Sequence, residues 1–485
     1  MSETIKLPAA FLNRMEKLLG TEYTAFIQSY TQERYYGLRR NPLKASAAAF
    51  EERMPFALEP VSWAQEGYYY QAEEQPGRHI LHEAGAYYIQ EPSAMAVVEI
   101  LDPQPGEYIL DLCAAPGGKS TQIAGRMAGE GLLVSNEIIP ARAKILSQNV
   151  ERMGIRNCVV CNETPERMAA FFPNFFDRIV VDAPCSGEGM FRKDETAVAE
   201  WSEAHVSMCA ERQYGILLEA ARMLKPGGVL VYSTCTFAPE EDEDVVSRFV
   251  RAHEMFEIEA VRHDSVFVEG RKDWIDDPAD GIEHTMRLMP HRLKGEGHYI
   301  ARLRRREPFP ESGVQRERDV AGRMITGRQK GRKKEDGRSE RMPVDEIQDF
   351  LVGEIGLSED WLERQNGVLQ KFGEQIYLVP CGMRPMQGMK VVRAGLHLGT
   401  GKKNRIEPSH ALALALHMEE TKQRLELTKR EAERYLRGES LSGESLHGTA
   451  LQKGWILLTY EGYPLGFGKA AGGQVKNHYP KGLRK

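Results

Sequence analysis

Two of the seven cysteines stand where segments that read as β-strands end, Cys185 in Asp182-Ala-Pro-Cys185 and Cys235 in Tyr232-Ser-Thr-Cys235. A cysteine thiol has a pKa of about 8.5, which a nearby cation or helix N-terminus lowers. Beside a methyl donor, a thiolate could add to carbon-6 of a pyrimidine and make carbon-5 nucleophilic. An acid must then hydrogen-bond the ring at N3, and Asp182 suits that role. These residues therefore indicate methylation of a pyrimidine.

A glycine turn predicts where a nucleotide-like ligand binds. An apolar segment at 109–115 reads as a buried strand and is followed by Pro116-Gly-Gly, and a helical pattern begins at Lys119. A strand, a glycine turn and a helix N-terminus form such a site. The P-loop motif does not fit, because Cys113 stands where it requires glycine, and the dinucleotide fingerprint does not fit either. We therefore expect a ligand other than a triphosphate or a dinucleotide.

Glu137 suggests what that ligand is. It ends the next predicted strand, 19 to 20 residues past the two glycines of the turn. A carboxylate at this position is well placed to accept both hydroxyls of a ribose, although an exposed acid at a strand edge is the alternative. An adenosine-containing ligand bound without P-loop chemistry makes S-adenosylmethionine (SAM) the leading candidate.

The remaining cysteines and the histidines do not predict a metal site. Cys158-Val-Val-Cys161 has no second C-x-x-C partner and reads as a strand, so we expect it to pack in the core. His291 and His298 lie seven residues apart without clustered Cys or Asp. Buried cysteines usually behave as small hydrophobic residues. We assign that packing role to Cys113, Cys158, Cys161, Cys209 and Cys381.

The elements around these residues predict an α/β domain. Strand-like segments alternate with helical ones, which is typical of a largely parallel sheet. The predicted strands are 109–115, 132–138, 158–161, 176–184 and 229–235. In such sheets ligands gather at the carboxyl ends of the strands. The candidate residues 111–113, Glu137, 182–185 and Cys235 all lie there.

Composition and length indicate a globular chain of several domains. With 485 residues we expect two to four domains. No run approaches the roughly 20 apolar residues of a membrane span, and the N-terminus lacks a signal-peptide pattern. An odd number of scattered cysteines does not suggest a disulfide framework. We expect a cytoplasmic protein with reduced thiols and no membrane contact.

Charge is distributed unevenly along the chain. Residues 1–303 carry 31 Lys and Arg against 46 Asp and Glu, a net of −15, whereas residues 304–485 carry 33 against 24, a net of +9. A basic half predicts contact with a polyanion, with solvated surface charge as the alternative.

Other segments suggest helices at 7–40, a basic flexible linker at 305–343 and a small mixed or β domain at 376–398 and 455–469.

Three motifs stand out in order: Cys113-Ala-Ala-Pro-Gly-Gly-Lys119, Asp182-Ala-Pro-Cys-Ser-Gly-Glu188 and Ser233-Thr-Cys-Thr236. They resemble the Sun-type family of RNA 5-cytosine methyltransferases, the bacterial RsmB/RsmF and eukaryotic NSUN proteins, over roughly residues 85–305. Arg39-x-Asn41-x-Leu43-Lys44 resembles the family's N-terminal RNA-contacting signature. Pro290-His291 and Gly295-Glu-Gly-His298 resemble its closing motif.

The resemblance implies roles for individual residues. The nucleophile would be Cys235, and Cys185 would help to resolve the adduct and release product. Asp182 would be catalytic and would also contact SAM. Thr164 aligns with an aspartate that holds the adenine amino group in the family, and Asn162 or Glu163 could substitute for it. The implied SAM-binding residues are Cys113, Ala114, Ala115, Pro116, Gly117, Gly118, Lys119, Glu137, Thr164 and Asp182.

The resemblance also implies an architecture: a class I SAM-dependent methyltransferase with a Rossmann-like, mostly parallel seven-stranded sheet, a helical N-terminal RNA-binding region and a C-terminal PUA-like region. The C-terminal extension resembles the RsmF subgroup. The predicted divisions are 1–85, an N-terminal RNA-binding region; 86–304, the methyltransferase domain; 305–343, the linker; 344–427, the first C-terminal RNA-binding part; and 428–485, the PUA-like domain.

The implied activity is methylation of cytosine carbon-5 in 16S rRNA or the small ribosomal subunit, by a monomer that uses no metal. The same chemistry on tRNA is one alternative. A non-catalytic RNA-binding assembly factor is another, and the presence of both cysteines and Asp182 argues against it. DNA cytosine methyltransferases place the nucleophile at the Pro-Cys cysteine and lack the second one, so Cys235 argues against DNA.

Overall fold

The computed structural model describes residues 7–262, 264–307, 344–403, 405–442 and 453–484. All but the first three residues of the predicted linker at 305–343 lie outside these ranges. None of the helices formed by the described residues combines the length and apolar character needed to span a bilayer.

The N-terminal region is a pair of helices followed by a small sheet. Its helical periodicity through Tyr30 is matched by the first two helices, whereas Tyr36–Arg40, inside the segment predicted as helical, is a strand. Tyrosine-rich segments suit a pleated surface, and this strand pairs with two others. The elements are α1 Ala9–Leu19, α2 Tyr23–Ser29, β1 Tyr36–Arg40, α3 Ala47–Arg53, β2 Glu59–Pro60, β3 Gly67–Tyr70, α4 Ile80–Glu83 and β4 Tyr87–Ile89.

The central domain contains the predicted parallel sheet. Its elements are α5 Pro92–Leu101, β5 Tyr108–Asp111, α6 Gly118–Arg126, β6 Leu132–Asn136, α7 Pro140–Arg152, β7 Cys158–Cys161, α8 Pro165–Phe171, β8 Phe176–Asp182, α9 Glu195–Glu200, α10 Glu203–Met223, β9 Leu224–Thr234, α11 Glu243–Ala252, β10 Phe256–Ile258, β11 Val268–Glu269, β12 Met286–Leu288 and β13 His298–Arg305. Strands β5 to β9 pair in parallel, and β13 runs antiparallel beside β9. The strand order β7-β6-β5-β8-β9-β13-β12 is the implied seven-stranded core.

The C-terminal region adds to that core. Its elements are α12 Val344–Asp349, a π-helical turn Phe350–Glu354, β14 Gly367–Phe372, β15 Gln375–Pro380, β16 Val391–Ala394, β17 Leu396–Lys402, β18 Arg405–Pro408, α13 His410–Ala415, β19 Arg424–Glu426, α14 Lys429–Leu436, β20 Leu441–Ser442, β21 Gly454–Tyr460, β22 Tyr463–Ala471 and β23 Gln474–Asn477. Strand β16 pairs antiparallel with β7 and, with β10 and β11, makes the central sheet ten-stranded rather than seven-stranded. The predicted domain divisions remain predictions.

The two ends of the chain share one apolar core. Phe50 and Tyr87 of the N-terminal region belong to the same buried cluster as Tyr435, Ile456 and Tyr463 of the last C-terminal sheet and helix. Burial of apolar area is the main favourable contribution to folding. The N-terminal and last C-terminal parts therefore stabilise each other.

Candidate active site

The glycine turn connects β5 to α6 at the carboxyl edge of the sheet. Gly117 has φ +117°, a backbone conformation that side chains disfavour, which explains the glycine there. Ser120 on the first turn of α6 donates to Asp111 Oδ2 at 2.7 Å. Burial raises the pKa of the Asp111 carboxyl group to about 7. Its Oδ1 has no hydrogen-bond partner among the described residues.

Asp182 ends β8 and is held by residues of three neighbouring elements. Lys119 Nζ donates to its Oδ2 at 2.6 Å, Ser233 Oγ donates to its Oδ1 at 2.8 Å, and His298 Nε2 lies 3.6 Å from Oδ1. Burial would raise the pKa of Asp182, but the charge of Lys119, followed by His298, outweighs it and holds the pKa well below its usual range. Asp182 is therefore a carboxylate at neutral pH.

The two cysteines at the strand ends meet. Cys185 Sγ and Cys235 Sγ lie 3.3 Å apart, within hydrogen-bond distance for sulfur. The hydrogen bond with Cys235, followed by burial, raises the pKa of Cys185 well above its usual range. Cys185 therefore remains a protonated thiol that can donate toward Cys235.

The loop after Cys185 folds back onto Cys235. Gly189 N donates to the Cys235 carbonyl at 2.9 Å, and an added Cβ at Gly189 would lie 3.0 Å from that oxygen. Ser186 N donates to Glu241 Oε2 at 2.9 Å, and Phe237 N donates to Glu188 Oε2 at 3.2 Å. These contacts fix the two cysteine-bearing loops against each other.

Glu137 lies at the end of β6, as the sequence predicts. It is buried, its Oε1 accepts from Ile139 N at 2.9 Å, and Arg142 lies 3.5 Å from its Oε2. Cys113, inside the glycine-turn motif, is not brought to the Cys185–Cys235 pair. It is half-buried, and burial raises the pKa of its thiol far above the usual range.

The three candidates for an adenine contact have different surroundings. Thr164 caps α8, and its Oγ1 accepts from Arg167 N at 3.4 Å. The Glu163 carboxylate accepts from Arg167 Nε at 2.6 Å and from Lys390 N at 2.7 Å. The Asn162 amide donates to the carbonyls of residues 137 and 138, at 2.7 and 2.9 Å. Of these three side chains, only Asn162 has an oxygen, Oδ1, that accepts no hydrogen bond from the described residues.

Arg39, near the end of β1, is not on the surface. Arg39 is 1% exposed and donates to Gln90 Oε1 at 3.0 Å, to the Gly118 carbonyl at 3.1 Å and to Thr121 Oγ1 at 2.7 Å. Burial lowers its pKa to about 10. Arg39 therefore braces the first turn of α6 rather than facing solvent. Its charged type concealed this role in the sequence.

The described residues include no group of three or more His, Cys, Asp or Glu placed to hold a metal ion. Where β5, β8 and β9 end, the Asp182 carboxylate held by Lys119, the two thiols of Cys185 and Cys235 and the N-terminus of α6 form one cluster. Glu137 lies one strand away, on β6.

Comparison with known proteins gives full-length relatives. The chain is 32% identical over 497 residues to the "Ribosomal RNA small subunit methyltransferase F" of Vibrio campbellii, covering 100% of this chain and 98% of the relative. The protein of that name from Escherichia coli is 30% identical, with 99% and 97% covered.

Family models match four successive segments. They are described as the N-terminal domain of 16S rRNA methyltransferase RsmF (residues 7–92), 16S rRNA methyltransferase RsmB/F (98–304), the RsmF rRNA methyltransferase first C-terminal domain (357–416) and the methyltransferase RsmF PUA domain (422–485). Together they leave few of the described residues outside a match.

Two solved structures have a fold similar to that of the central domain. A methyltransferase homologue from Pyrococcus horikoshii has a TM-score of 0.54 and 27% identity, covering 62% of this chain and 96% of that one. NSun6 from the same organism also has a TM-score of 0.54, with 20% identity, covering 63% of this chain and 100% of that one. The central fold is thus that of a class I methyltransferase.

Proposed function

The chain belongs to the RsmF-type 16S rRNA methyltransferases of the RsmB/F family, and we propose that it methylates carbon-5 of a cytosine in 16S rRNA through a covalent adduct on Cys235. Membership makes it a SAM-dependent RNA methyltransferase. The observation that carries the finer proposal is the contact between two thiols, 3.3 Å apart, next to a strand end that presents an ionised aspartate.

The residues at the strand ends fit SAM, which supplies an electrophilic methyl group when bound. The N-terminus of α6 suits a carboxylate, and the buried Asp111 Oδ1, which has no partner among the described residues, suits an ammonium group. Glu137 suits the ribose hydroxyls. For the adenine amino group, Asn162 Oδ1 is a better candidate than Thr164 or Glu163, because those two already accept hydrogen bonds from the protein.

Asp182 suits recognition of cytosine. As a carboxylate it can accept from the exocyclic amino group of cytosine, and from N3–H once the adduct forms. Lys119 Nζ and His298 Nε2 both face the Asp182 carboxylate, and either could donate the proton that N3 takes up when the adduct forms. Uracil has a carbonyl oxygen in place of the amino group, so this carboxylate would repel it.

Cys235 acts as the nucleophile. Its thiolate forms a bond from Sγ to carbon-6, and the displaced ring electrons make carbon-5 nucleophilic, so that carbon-5 accepts the methyl group. The Cys185 thiol, 3.3 Å away, can donate a hydrogen bond that stabilises the Cys235 thiolate beforehand.

Cys185 then completes the reaction. Once Cys235 Sγ is bonded to carbon, Cys185 loses the hydrogen bond that contributes most to its raised pKa, and it can release its proton to solvent and act as a base. Its thiolate removes the proton from carbon-5, the bond from carbon-6 to Sγ breaks, and Cys235 leaves as a thiolate. Product release therefore depends on Cys185, whereas methyl transfer depends on Cys235.

Substitution of the two cysteines tests this assignment. With a 16S rRNA transcript and radiolabelled SAM, Cys235→Ala should lose methyl transfer by at least about 1000-fold, because no adduct forms. Cys185→Ala should accumulate a protein–RNA adduct that survives denaturing electrophoresis. Release of tritium from a transcript labelled at cytosine carbon-5 identifies the carbon.

Cys209→Ala is the matched control, because Cys209 is a buried cysteine of α10 that is not part of the Cys185–Cys235 pair. It should retain activity and form no adduct. Full methyl transfer by the Cys235→Ala variant, or no adduct with the Cys185→Ala variant, would contradict the proposal.

A further inference from the structure

A cleft of about 1620 Å³ lies beside the cysteine-bearing loops. One wall is the segment 30–36 that leads into β1, another is the end of β3, and a third is the segment 191–195 that follows the Pro-Cys loop. Nothing in the cysteine chemistry requires an opening of this size.

Two walls of the cleft are close in sequence to residues at the Cys235 site. Gly189, whose amide holds the Cys235 carbonyl, lies two residues before Phe191, where one wall begins. Lys294 of the wall precedes, by four residues, the His298 that faces Asp182. When a target base of an RNA enters the site, we therefore expect the nucleotides next to it to lie in this cleft.

Tyrosine rings dominate the wall opposite the loops. Tyr35 and Tyr69 have ring centroids 6.1 Å apart, and Tyr36 and Tyr70 have centroids 5.8 Å apart. Tyr35 is 38% exposed. A second cavity of about 350 Å³ shares Tyr36 and Tyr70 with the first, so this pair has space on two sides. Stacking on aromatic side chains is the main way proteins hold unpaired bases.

The cleft is lined by four basic and five acidic side chains, so it carries no excess of positive charge. Lys294 lies over the Tyr69 ring at 5.5 Å and pairs with Glu59 at 2.6 Å, and Arg34 lies over the Tyr36 ring at 5.7 Å. Arg192 is buried and paired with Glu296 at 3.5 Å. Phosphate attraction therefore does not dominate here. The lining favours bases over backbone.

We propose that this tyrosine cleft binds, by stacking, the unpaired nucleotides next to the target base of the RNA substrate. The proposal rests on the proposed function, because a base that enters the catalytic site must leave its stack and thereby unstack its neighbours. Tyr35 and Tyr36 would be specificity-determining for single-stranded over double-helical RNA.

Binding of a fluorescein-labelled single-stranded oligoribonucleotide of about 10 nucleotides tests the proposal. Tyr35→Ala and Tyr36→Ala should each raise its Kd about 5- to 100-fold, because one base loses a stacking partner. Tyr35→Phe and Tyr36→Phe should stay within about twofold of the unaltered chain, because the ring is kept. The Kd for SAM should be unchanged in all four variants.

Tyr214→Ala is the control. Tyr214 belongs to α10, lies under Arg248 and does not line the cleft. It should leave the RNA Kd unchanged. Unchanged RNA binding in both Tyr→Ala variants would overturn the proposal, and so would equal losses for the Phe and Ala variants. Adduct formation by the Cys185→Ala variant is measured separately, so failure of the cleft and failure of the cysteine mechanism are distinguishable.

Discussion

Asp111 is buried and Asp182 is half-buried at the ends of adjacent strands, and their pKa values move in opposite directions. Burial raises both, but Asp182 has Lys119 at 2.6 Å, whereas Asp111 has only a hydroxyl donor, Ser120, at 2.7 Å. A full charge at this distance outweighs desolvation and a hydroxyl does not. Neighbouring carboxyl groups of one edge can therefore differ in charge at the same pH.

Asp111→Asn should change the pH dependence of stability. The pKa of Asp111 is raised from 3.8 to about 7 in the folded chain, so its stabilising contribution is complete below pH 3.8 and is lost as pH rises through about 7. The variant, which cannot ionise, should gain on the order of 2 kcal/mol relative to the unaltered chain between pH 5.5 and pH 8. Urea unfolding at the two pH values measures this.

Ser135→Ala is a control for the same polar cluster, because Ser135 contacts Ser120 at 2.8 Å but does not titrate in this range. Its effect on stability should be similar at both pH values. An Asp111→Asn effect that does not change with pH would show that Asp111 stays ionised.

Among the elements, β16 has the most unexpected position. It comes from the first C-terminal part but pairs with β7, and Lys390 N just before it donates to Glu163 at 2.7 Å. Asn162 N donates to the Lys390 carbonyl at 2.8 Å. The C-terminal part therefore fixes the loop that carries the adenine-contact candidates.

Arg393→Ala tests how firmly β16 is held. Arg393 on β16 is buried and pairs with Glu151 of α7 at 2.9 Å. Removing the buried Arg393 side chain leaves a half-buried carboxylate unpaired, so the free energy of unfolding should fall by on the order of 2 kcal/mol. Equilibrium urea unfolding measures this.

Arg405→Ala offers the comparison. Arg405 pairs with Glu407 at 2.6 Å on the exposed strand β18, and exposed pairs contribute roughly 0–1 kcal/mol. Losses of equal size in the two variants would contradict the clamping role of β16.

In the whole molecule, the regions before and after the methyltransferase domain contact each other, and the C-terminal region also contacts that domain. The N-terminal region shares an apolar core with the last C-terminal part, and Arg156 of the central domain pairs with Glu420 near the junction of the two C-terminal parts. The parts that match separate family models therefore contact one another extensively.

Phe50→Ala should loosen the last C-terminal sheet although Phe50 lies in the N-terminal region. Its side chain is 1% exposed within the shared cluster, and truncation of such a ring costs about 3–5 kcal/mol. Amide hydrogen exchange in β21 and β22 should accelerate, because these strands contribute to the same core.

Phe11→Ala removes an equally buried ring from a separate cluster, in which α1 and α2 pack against residues of the central domain. Exchange should accelerate in α1 and not in β21. If Phe50→Ala leaves β21 and β22 protected, the two ends do not stabilise each other.

The sequence by itself determined the central strands of the α/β domain and the residues that gather at their carboxyl ends. Apolar runs ending in Asp182 or Glu137, and a glycine turn before Lys119, are local signals, and parallel strands bring their carboxyl ends together. The motif resemblance then pointed to the family that the full-length relatives establish.

Only the tertiary structure decided the contacts between distant segments. The 3.3 Å separation of two thiols 50 residues apart, the Lys390 amide on Glu163 and the burial of Arg39 all depend on such contacts. The sequence predicted a helix where β1 lies. A strand as short as β1 is stabilised by the strands that pair with it, and local periodicity does not reveal these partners. Local periodicity reports which face of an element is apolar, but the partner that covers it can come from anywhere in the chain.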